Sequence, residues 1–199
     1  MQGGVGDYTR ELARAFIALG HQVSVLVPGS LTDAQRLAEP QPWQVLPRVT
    51  GWGWGCWGQV IRVLRQVRPD IVVTCDPTNF FPSDRYINHP DHRAAGQATL
   101  DAVFPASGSA LFFPELLSEE GLQPHRIRQV YVAMPQTANA FIDVTGTLER
   151  KIAALREHRS QIPDPAGLEA RIRERLLDPA SPPEAPRYVE RFRLIDLGR

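Results

Sequence analysis

The sequence predicts an α/β protein with a Rossmann-like parallel sheet and helices on both faces. Short β-branched runs, clearest in "VSVLVP" and "DIVVTC", are each ended by turn-forming residues and read as buried strands. Amphipathic stretches of helical period alternate with them, which is the pattern of βαβ units. A chain of 199 residues is long enough for one such domain and too short for two of full size.

Charge, apolar runs and cysteine spacing exclude several classes of protein. The formal net charge is +0, so there is no electrostatic reason to expect nucleic acid or an anionic membrane. No apolar run approaches the roughly 18 residues of a membrane span, and the start lacks a signal-peptide pattern. Cys56 and Cys75 stand in no paired motif. We therefore expect a soluble cytoplasmic protein, with its oligomeric state left open.

The N-terminal third reads as a glycine loop, a helix and a strand. Residues 3–6 are "GGVG", Asp7 is a good helix N-cap, and Gly20 is a good C-terminal stop. The strand that should precede the loop is missing, because only Met1 and Gln2 come before it. The fold class therefore carries the qualification that its first strand is absent.

The middle of the chain continues the alternation. Residues 43–49 predict an edge strand that contains a proline, and the glycine- and tryptophan-rich residues 51–58 predict a surface loop. An amphipathic helix ending at Pro69 leads into a strand over 70–75. A further helix is predicted from about Pro90 to Phe104.

The remaining elements complete the α/β pattern. Strands are predicted over 128–135 and 141–146, and helices over 147–161 and 167–177, the first with Leu148, Ile152 and Leu155 on one face. Residues 187–198 predict a terminal helix or strand that packs on the core.

The densest group of metal-binding and proton-transferring side chains is His89-Pro90-Asp91-His92. With Pro90 in the first turn of a helix, His89 lies at the cap and His92 one turn along. The motif follows the strand over 70–75, and α/β proteins bind ligands beyond the carboxyl ends of strands. Imidazole nitrogen and carboxylate oxygen suit a catalytic zinc. The alternative interpretation is a capped helix start with exposed histidines.

The flanking residues carry a resemblance. "RPDIVVTCDPTNFF", "YINHPDHRAAGQATLDAVFP", "LFFPELLSEEGLQPHRIRQVYV", "KIAALREHRSQ" and "YVERFRLI" together resemble the LmbE / PIG-L-like zinc-dependent N-deacetylases over about residues 68–196. The resemblance implies that His92 binds zinc, that His89 polarises the amide carbonyl or stabilises the oxyanion, and that Asp91 orients His89. Arg93, directly behind, is the candidate substrate-binding residue. The implied substrate is a small N-acetylated sugar or conjugate.

Other positions of that family pattern are matched unevenly. Its later His-x-Ser-Gln run is matched by His158, Ser160 and Gln161, although His158 is slightly better explained by capping the edge of a core. Its first metal motif, a His-Pro-Asp-Asp run that supplies further ligands and the general base, has no counterpart in this sequence. The zinc site implied is therefore partial. Asp7 is better explained as a helix cap than as a substitute carboxylate. Asp76 and Asp84 are better explained as satisfying their loops.

The N-terminal segment resembles a different family. "GGVGDYTRELARAFIALGHQVSVLVP", "GWGWG" and "VIRVLRQVRPDIV" are similar to the N-terminal domain of GT-B-fold retaining glycosyltransferases. That resemblance implies that Gly4 and Gly6 lie in a cleft where backbone N–H groups approach an acceptor or a phosphate. We therefore divide the chain into a glycosyltransferase-like segment, 1–72, and a deacetylase-like segment, 73–199. Both of these families use Rossmann-like sheets, so we expect the two segments to form one continuous α/β unit.

Three functions stay open at this point. The first is a zinc-dependent hydrolase that removes an N-acetyl group, inactive if the missing motif is essential. The second is the acceptor-side fragment of a GT-B glycosyltransferase. The third is a non-catalytic α/β domain.

Overall fold

The computed structural model describes most of the chain after residue 53. The described residues are 17–18, 20, 24–28, 44–49, 54–157, 162 and 164–198. The glycine loop at residues 3–6 and His158 lie outside the described residues. The predictions for the glycine loop, for the absent first strand and for His158 therefore stay predictions. None of the described helices combines the length and the hydrophobicity that a membrane-spanning segment requires.

The described strands form two sheets. Strands β1 (Ser24–Pro28) and β2 (Gln44–Val49) make a two-stranded sheet. Strands β3 (Ile71–Cys75), β4 (Gln129–Ala133), β5 (Ala140–Asp143) and β6 (Val189–Asp196) make a sheet in the order β3-β4-β6-β5. The predicted α/β class is confirmed. The sheet is mixed rather than wholly parallel, because β3 runs parallel to β4 whereas β6 runs antiparallel to it, an arrangement common in α/β folds.

Except for the short helix Glu115–Ser118, where the sequence predicts no element, the helices lie close to where their periodicity predicts them. They are α1 (Trp54–Val67), α2 (Pro90–Asp101), α3 (Glu115–Ser118), α4 (Leu148–Arg156) and α5 (Leu168–Leu176). The helix predicted to reach Phe104 ends as a regular α-helix at Asp101. Phe104 itself is extended, at φ −140° and ψ 126°, because it precedes Pro105. The stretch over residues 187–198, predicted as helix or strand, forms β6.

The prediction of a surface loop over residues 51–58 is wrong for its second half. Trp54–Gly58 form the first turn of α1. Cys56 is 3% exposed and packs with Ala98 of α2, which favours the helix over a loop. A Cβ at Gly58 would lie 2.9 Å from the ring of Phe113, so glycine is the residue that lets this ring approach the helix. Tertiary packing has overridden the low helix propensity of glycine.

The chain divides into two compact units, each with a core of its own. The first is Leu26–Ala140 with Arg191–Arg199, and the second is Met1–Val25 with Phe141–Glu190. The buried core of the first unit consists of apolar side chains from α1, the π-helical turn Ala102–Ala106 that follows α2, α3, β4 and residue 127: Ile61, Leu64, Ala102, Val103, Ala106, Leu116, Ile127, Val130 and Val132. The core of the second unit lies between α4 and α5, and contains Leu148, Ile152, Leu168, Ile172 and Leu176. The predicted apolar face of α4 is confirmed, since Leu155 also packs on this core.

A buried arginine fixes the irregular segment after α2. Arg65 of α1 is 1% exposed. Its Nη2 donates to the carbonyl oxygens of Ser109 and Phe112 at 2.7 and 2.9 Å, and its Nε donates to that of Ser107 at 3.3 Å. Arg65 therefore ties this segment to α1, adding to the backbone hydrogen bonds that the Ser107 and Ser109 carbonyl oxygens accept from the N–H groups of His125 and Phe112.

Helix α2 packs against the carboxyl end of β3 at a glycine. Gly96 is buried, and a Cβ at this position would collide with the carbonyl oxygen of Cys75 and come within 3.2 Å of Pro77 Cδ. Because Gly96 has no side chain, the backbone of α2 can lie closer to the end of β3 than it could with any other residue at position 96. This contact sets the place at which α2 begins.

We predict that Gly96→Ala destabilises the protein by about 1–3 kcal/mol, because backbone atoms of β3 have no flexible side chain with which to accommodate the methyl group. Urea denaturation measures the change in the free energy of unfolding. Gly146→Ala is the matched control, since a Cβ there meets no atom within 4 Å. Equal effects of the two substitutions would contradict the close approach of α2 to β3.

Candidate functional site

His89 caps the N-terminus of α2. Its backbone has φ −57° and ψ 136°, which is not helical, and Pro90 occupies the first helical position, as predicted. The His89 Nδ1 accepts a hydrogen bond from the backbone N–H of Asp91 at 3.2 Å. A histidine thereby takes the capping role that serine or aspartate more often fills.

Asp91 contacts the same edge of the His89 ring through its side chain. The Asp91 Oδ2 lies 3.5 Å from His89 Nδ1. In the neutral imidazole, Nδ1 accepts from the Asp91 N–H, and the proton is on Nε2. In the imidazolium, both ring nitrogens carry protons and Nδ1 faces the carboxylate. His89 Nε2 is therefore a hydrogen-bond donor in both states.

His92 lies one turn further along α2, beside His89. The two ring centroids are 5.9 Å apart with the planes tilted by 50°, and both residues are exposed. Among the described residues, none forms a hydrogen bond or ion pair with the His92 ring nitrogens. The motif thus presents one imidazole engaged on its Nδ1 edge and a second with both nitrogens open to an incoming group.

Arg93, predicted to bind substrate, makes two contacts within the protein. Its guanidinium carbon lies 4.1 Å from the centroid of the Phe80 ring, a cation–π arrangement. Its Nη1 donates to the carbonyl oxygen of Asn88 at 2.6 Å. The side chain is only partly buried, and its role toward a substrate stays a prediction.

Two asparagines that the sequence interpretation missed support this motif. Asn88, directly before His89, is 0% exposed and donates from Nδ2 to the carbonyl oxygen of Asn79 at 2.9 Å. Asn79 is 7% exposed and donates from Nδ2 to the carbonyl oxygen of Met134 at 2.8 Å. Amide residues in an irregular segment give no periodic signal. Only their position within ten residues of the motif could have drawn attention to them.

Asp76 joins the carboxyl ends of the parallel strands β3 and β4. Its Oδ1 accepts from the backbone N–H and hydroxyl of Thr78 at 2.8 and 2.6 Å, and its Oδ2 accepts from the backbone N–H of Gln136 at 3.2 Å. Burial raises the pKa of Asp76, but the hydrogen bonds from Thr78, Gln136 and Asn79 outweigh it and hold that pKa below its ordinary value. The expectation that Asp76 satisfies its loop is confirmed.

The described residues contain part of a zinc ligand set at most. Within these residues, no group of three or more His, Cys, Asp or Glu side chains is arranged to hold a metal ion. A catalytic zinc takes three protein ligands in most sites. His92 fits the donor chemistry of one such ligand, whereas His89 is better suited to donate a hydrogen bond. The predicted partial zinc site stays a prediction.

Comparison with known proteins finds two kinds of similarity. A family model, Glycosyltransferase Family 4, matches residues 2–89. The chain is 36% identical over 106 residues to diacetylchitobiose deacetylase of Thermococcus kodakarensis, covering 53% of this chain and 37% of that protein. It is 33% identical over 120 residues to a 1D-myo-inositol 2-acetamido-2-deoxy-alpha-D-glucopyranoside deacetylase of Saccharomonospora viridis, covering 52% and 42%. The chain thus spans less than half the length of these curated relatives, which are deacetylases.

Solved structures share the fold. N,N′-diacetylchitobiose deacetylase from Pyrococcus horikoshii superposes with a TM-score of 0.58 at 26% identity, covering 82% of this chain and 61% of that one. A conserved protein from Thermus thermophilus gives a TM-score of 0.55 at 20% identity, covering 94% and 85%. GalB, the 4-carboxy-2-hydroxymuconate hydratase of Pseudomonas putida, gives 0.56 at 14%, covering 91% and 87%. The last two show the fold alone, and their chemistry does not transfer.

We predict that Asp76→Asn lowers the free energy of unfolding by about 1–3 kcal/mol near pH 7, because an amide NH2 cannot accept the hydrogen bonds that the carboxylate accepts. Since the folded pKa of Asp76 is depressed, its stabilising contribution is present above the unfolded value of about 3.9 and is lost as pH falls through the folded pKa.

The difference between the wild type and Asp76→Asn, measured by urea denaturation, should therefore be constant from about pH 7 to 5 and shrink below about pH 4. Asp84→Asn is the control, because Asp84 is exposed. A difference that grows on acidification would be incompatible with this role.

Proposed function

We propose that this chain carries the second half of a zinc-dependent site that removes an N-acetyl group from a glucosamine-containing or related substrate. The observation that carries the proposal is the pair of imidazoles at the start of α2. One ring presents Nε2 as a donor, and the other lies 5.9 Å away with its ring nitrogens free of partners among the described residues. The deacetylase relatives support the choice of an N-acetylated sugar.

Each side chain has a separate role in this proposal. His92 is the zinc ligand, and zinc, when bound, supplies a Lewis acid that polarises the amide and promotes ionisation of water. His89 donates from Nε2 to the acyl oxygen as negative charge develops on it. Asp91 holds the Nδ1 edge of His89 through its backbone N–H when the ring is neutral and through its carboxylate when the ring is protonated, and so keeps the Nε2 donor aimed outward in both states.

The rest of such a site is not supplied by the motif over residues 89–92. The sequence has no His-Pro-Asp-Asp run to provide further ligands and a general base. We propose that zinc binding by this chain depends on His92 and that the rate of hydrolysis is limited by these missing groups. A site without its general base forfeits about 10²–10⁴-fold in rate.

The test is to measure bound zinc by metal analysis and acetate release from an N-acetylglucosaminide, for the wild type and His92→Ala. We expect zinc up to one equivalent, slow acetate release, and loss of both in the variant. His125→Ala is the matched histidine control, because its Nε2 already lies 2.8 Å from the carbonyl oxygen of Pro69. Absence of both zinc and acetate release in the wild type would refute the proposal for this chain.

A second candidate function rests on the family match over residues 2–89. Under it, the chain is the acceptor-side part of a sugar transferase and binds a sugar through the glycine loop that contains Gly4 and Gly6. A non-catalytic α/β domain is the remaining alternative.

Calorimetric titration with N-acetylglucosamine distinguishes these functions. Binding that is lost in Gly4→Ala/Gly6→Ala and retained in His92→Ala is the result expected of the transferase-derived function, because the added methyl groups would block approach to the loop backbone. Binding that survives in the glycine double variant would contradict it.

A further inference from the structure

Arg93 has the contacts of a side chain that holds the backbone rather than one that awaits a ligand. Its guanidinium lies over the Phe80 ring at 4.1 Å, and its Nη1 donates to the Asn88 carbonyl oxygen at 2.6 Å. Arg93 also donates its own backbone N–H to the carbonyl oxygen of His89 at 3.3 Å. The same residue therefore contacts both peptide units that flank the His89 α-carbon.

The two ends of the loop over residues 80–88, which leads into the motif, are hydrogen-bonded to each other. The backbone N–H of Asn88 donates to the carbonyl oxygen of Phe80 at 2.8 Å, and its side chain donates to the carbonyl oxygen of Asn79. Asn79 in turn is bonded to the carbonyl oxygen of Met134, just beyond β4. Residues 79–80 and 88 are thus tied to each other and to the sheet, while the intervening residues 81–87 are exposed.

His89 has little backbone freedom left between these contacts and Pro90. A proline disfavours the helical region for the residue before it, which matches the observed φ of −57° and ψ of 136°. The remaining freedom is rotation of the Asn88–His89 peptide unit, whose carbonyl oxygen accepts from Arg93. A charge-assisted hydrogen bond at 2.6 Å to that oxygen restrains the rotation.

We propose that Arg93 is a positioning residue that fixes the His89 imidazole beside His92, instead of contacting the substrate. The inference rests on the proposed function only for the role that it assigns to the two histidines. Arginine suits this position because a planar guanidinium can stack on Phe80 and donate within its plane to Asn88 at the same time. Lysine would keep the charge and a donor but lose the stacked plane.

The test uses nuclear magnetic resonance of the whole, metal-free chain. The chemical shift of the Asp91 amide proton reports the hydrogen bond to His89 Nδ1, and the nuclear Overhauser effect between the rings of His89 and His92 reports their proximity. We expect Arg93→Ala to shift the Asp91 amide and to weaken the ring–ring effect, and Arg93→Lys to restore part of both. Resonances of residues outside 79–93 and the thermal midpoint should be nearly unchanged.

Arg150→Ala, on the exposed side of α4, is the matched control and should change neither signal. Should Arg93→Ala fail to fold, Phe80→Leu removes the ring while leaving the Asn88 hydrogen bond possible, and it should move the Asp91 amide in part. The proposal would be overturned if Arg93→Ala left both the Asp91 amide shift and the ring–ring effect unchanged. If Arg93→Ala does not fold, an unchanged Asp91 amide shift in Phe80→Leu would overturn it instead.

A zinc titration separates this inference from the proposed function. If the wild type binds zinc, Arg93→Ala should weaken the affinity by about 10-fold, as losses of groups supporting a metal site do. Weakened zinc binding with unchanged ring–ring and amide signals would also overturn positioning, because Arg93 would then act by another route. Absence of zinc binding in the wild type removes the proposed function, while the resonance measurements still decide the role of Arg93.

Discussion

The place of the candidate site depends on the close packing of α2 against the carboxyl end of β3. Gly96 allows the helix backbone to lie against the carbonyl oxygen of Cys75, where any side chain would collide. Because a helix rises about 1.5 Å per residue, fixing Gly96 also fixes where the helix begins, roughly two turns earlier. His89 and His92 lie at that beginning, beyond the ends of the parallel pair β3 and β4, which is the usual location of ligand sites in α/β sheets.

A second layer of polar contacts holds the backbone around this helix start. Asp76 joins the ends of β3 and β4, Asn79 reaches the residue after β4, and Asn88 closes the loop that leads into the motif. Buried groups of this kind rigidify a structure where they are hydrogen-bonded, as the Asp76 carboxylate and the side-chain NH2 groups of Asn79 and Asn88 are. The exposed histidines are therefore carried by a frame that is itself buried.

Sequence periodicity predicts some elements of the structure and misses others. Strand β3, helix α2 and the cap position of His89 followed from β-branched runs, a helical pattern and the proline at the first turn. The start of α1 was missed because its glycines and tryptophans suggest a loop, whereas burial of Cys56 and the ring of Phe113 favour a helix. The contact of Asn79 with Met134 spans 55 residues, and local sequence carries no signal for such a pair.

Fold similarity leaves the reaction open, since a deacetylase and a hydratase both superpose on this chain with TM-scores of 0.58 and 0.56. The proposed chemistry depends on His89, Asp91 and His92, and above all on zinc binding by His92. Anomalous diffraction at the zinc edge from crystals grown with zinc tests this most directly. We predict a peak at about 2.0–2.1 Å from a ring nitrogen of His92. Zinc peaks found only at other residues, with none at His92, would contradict it.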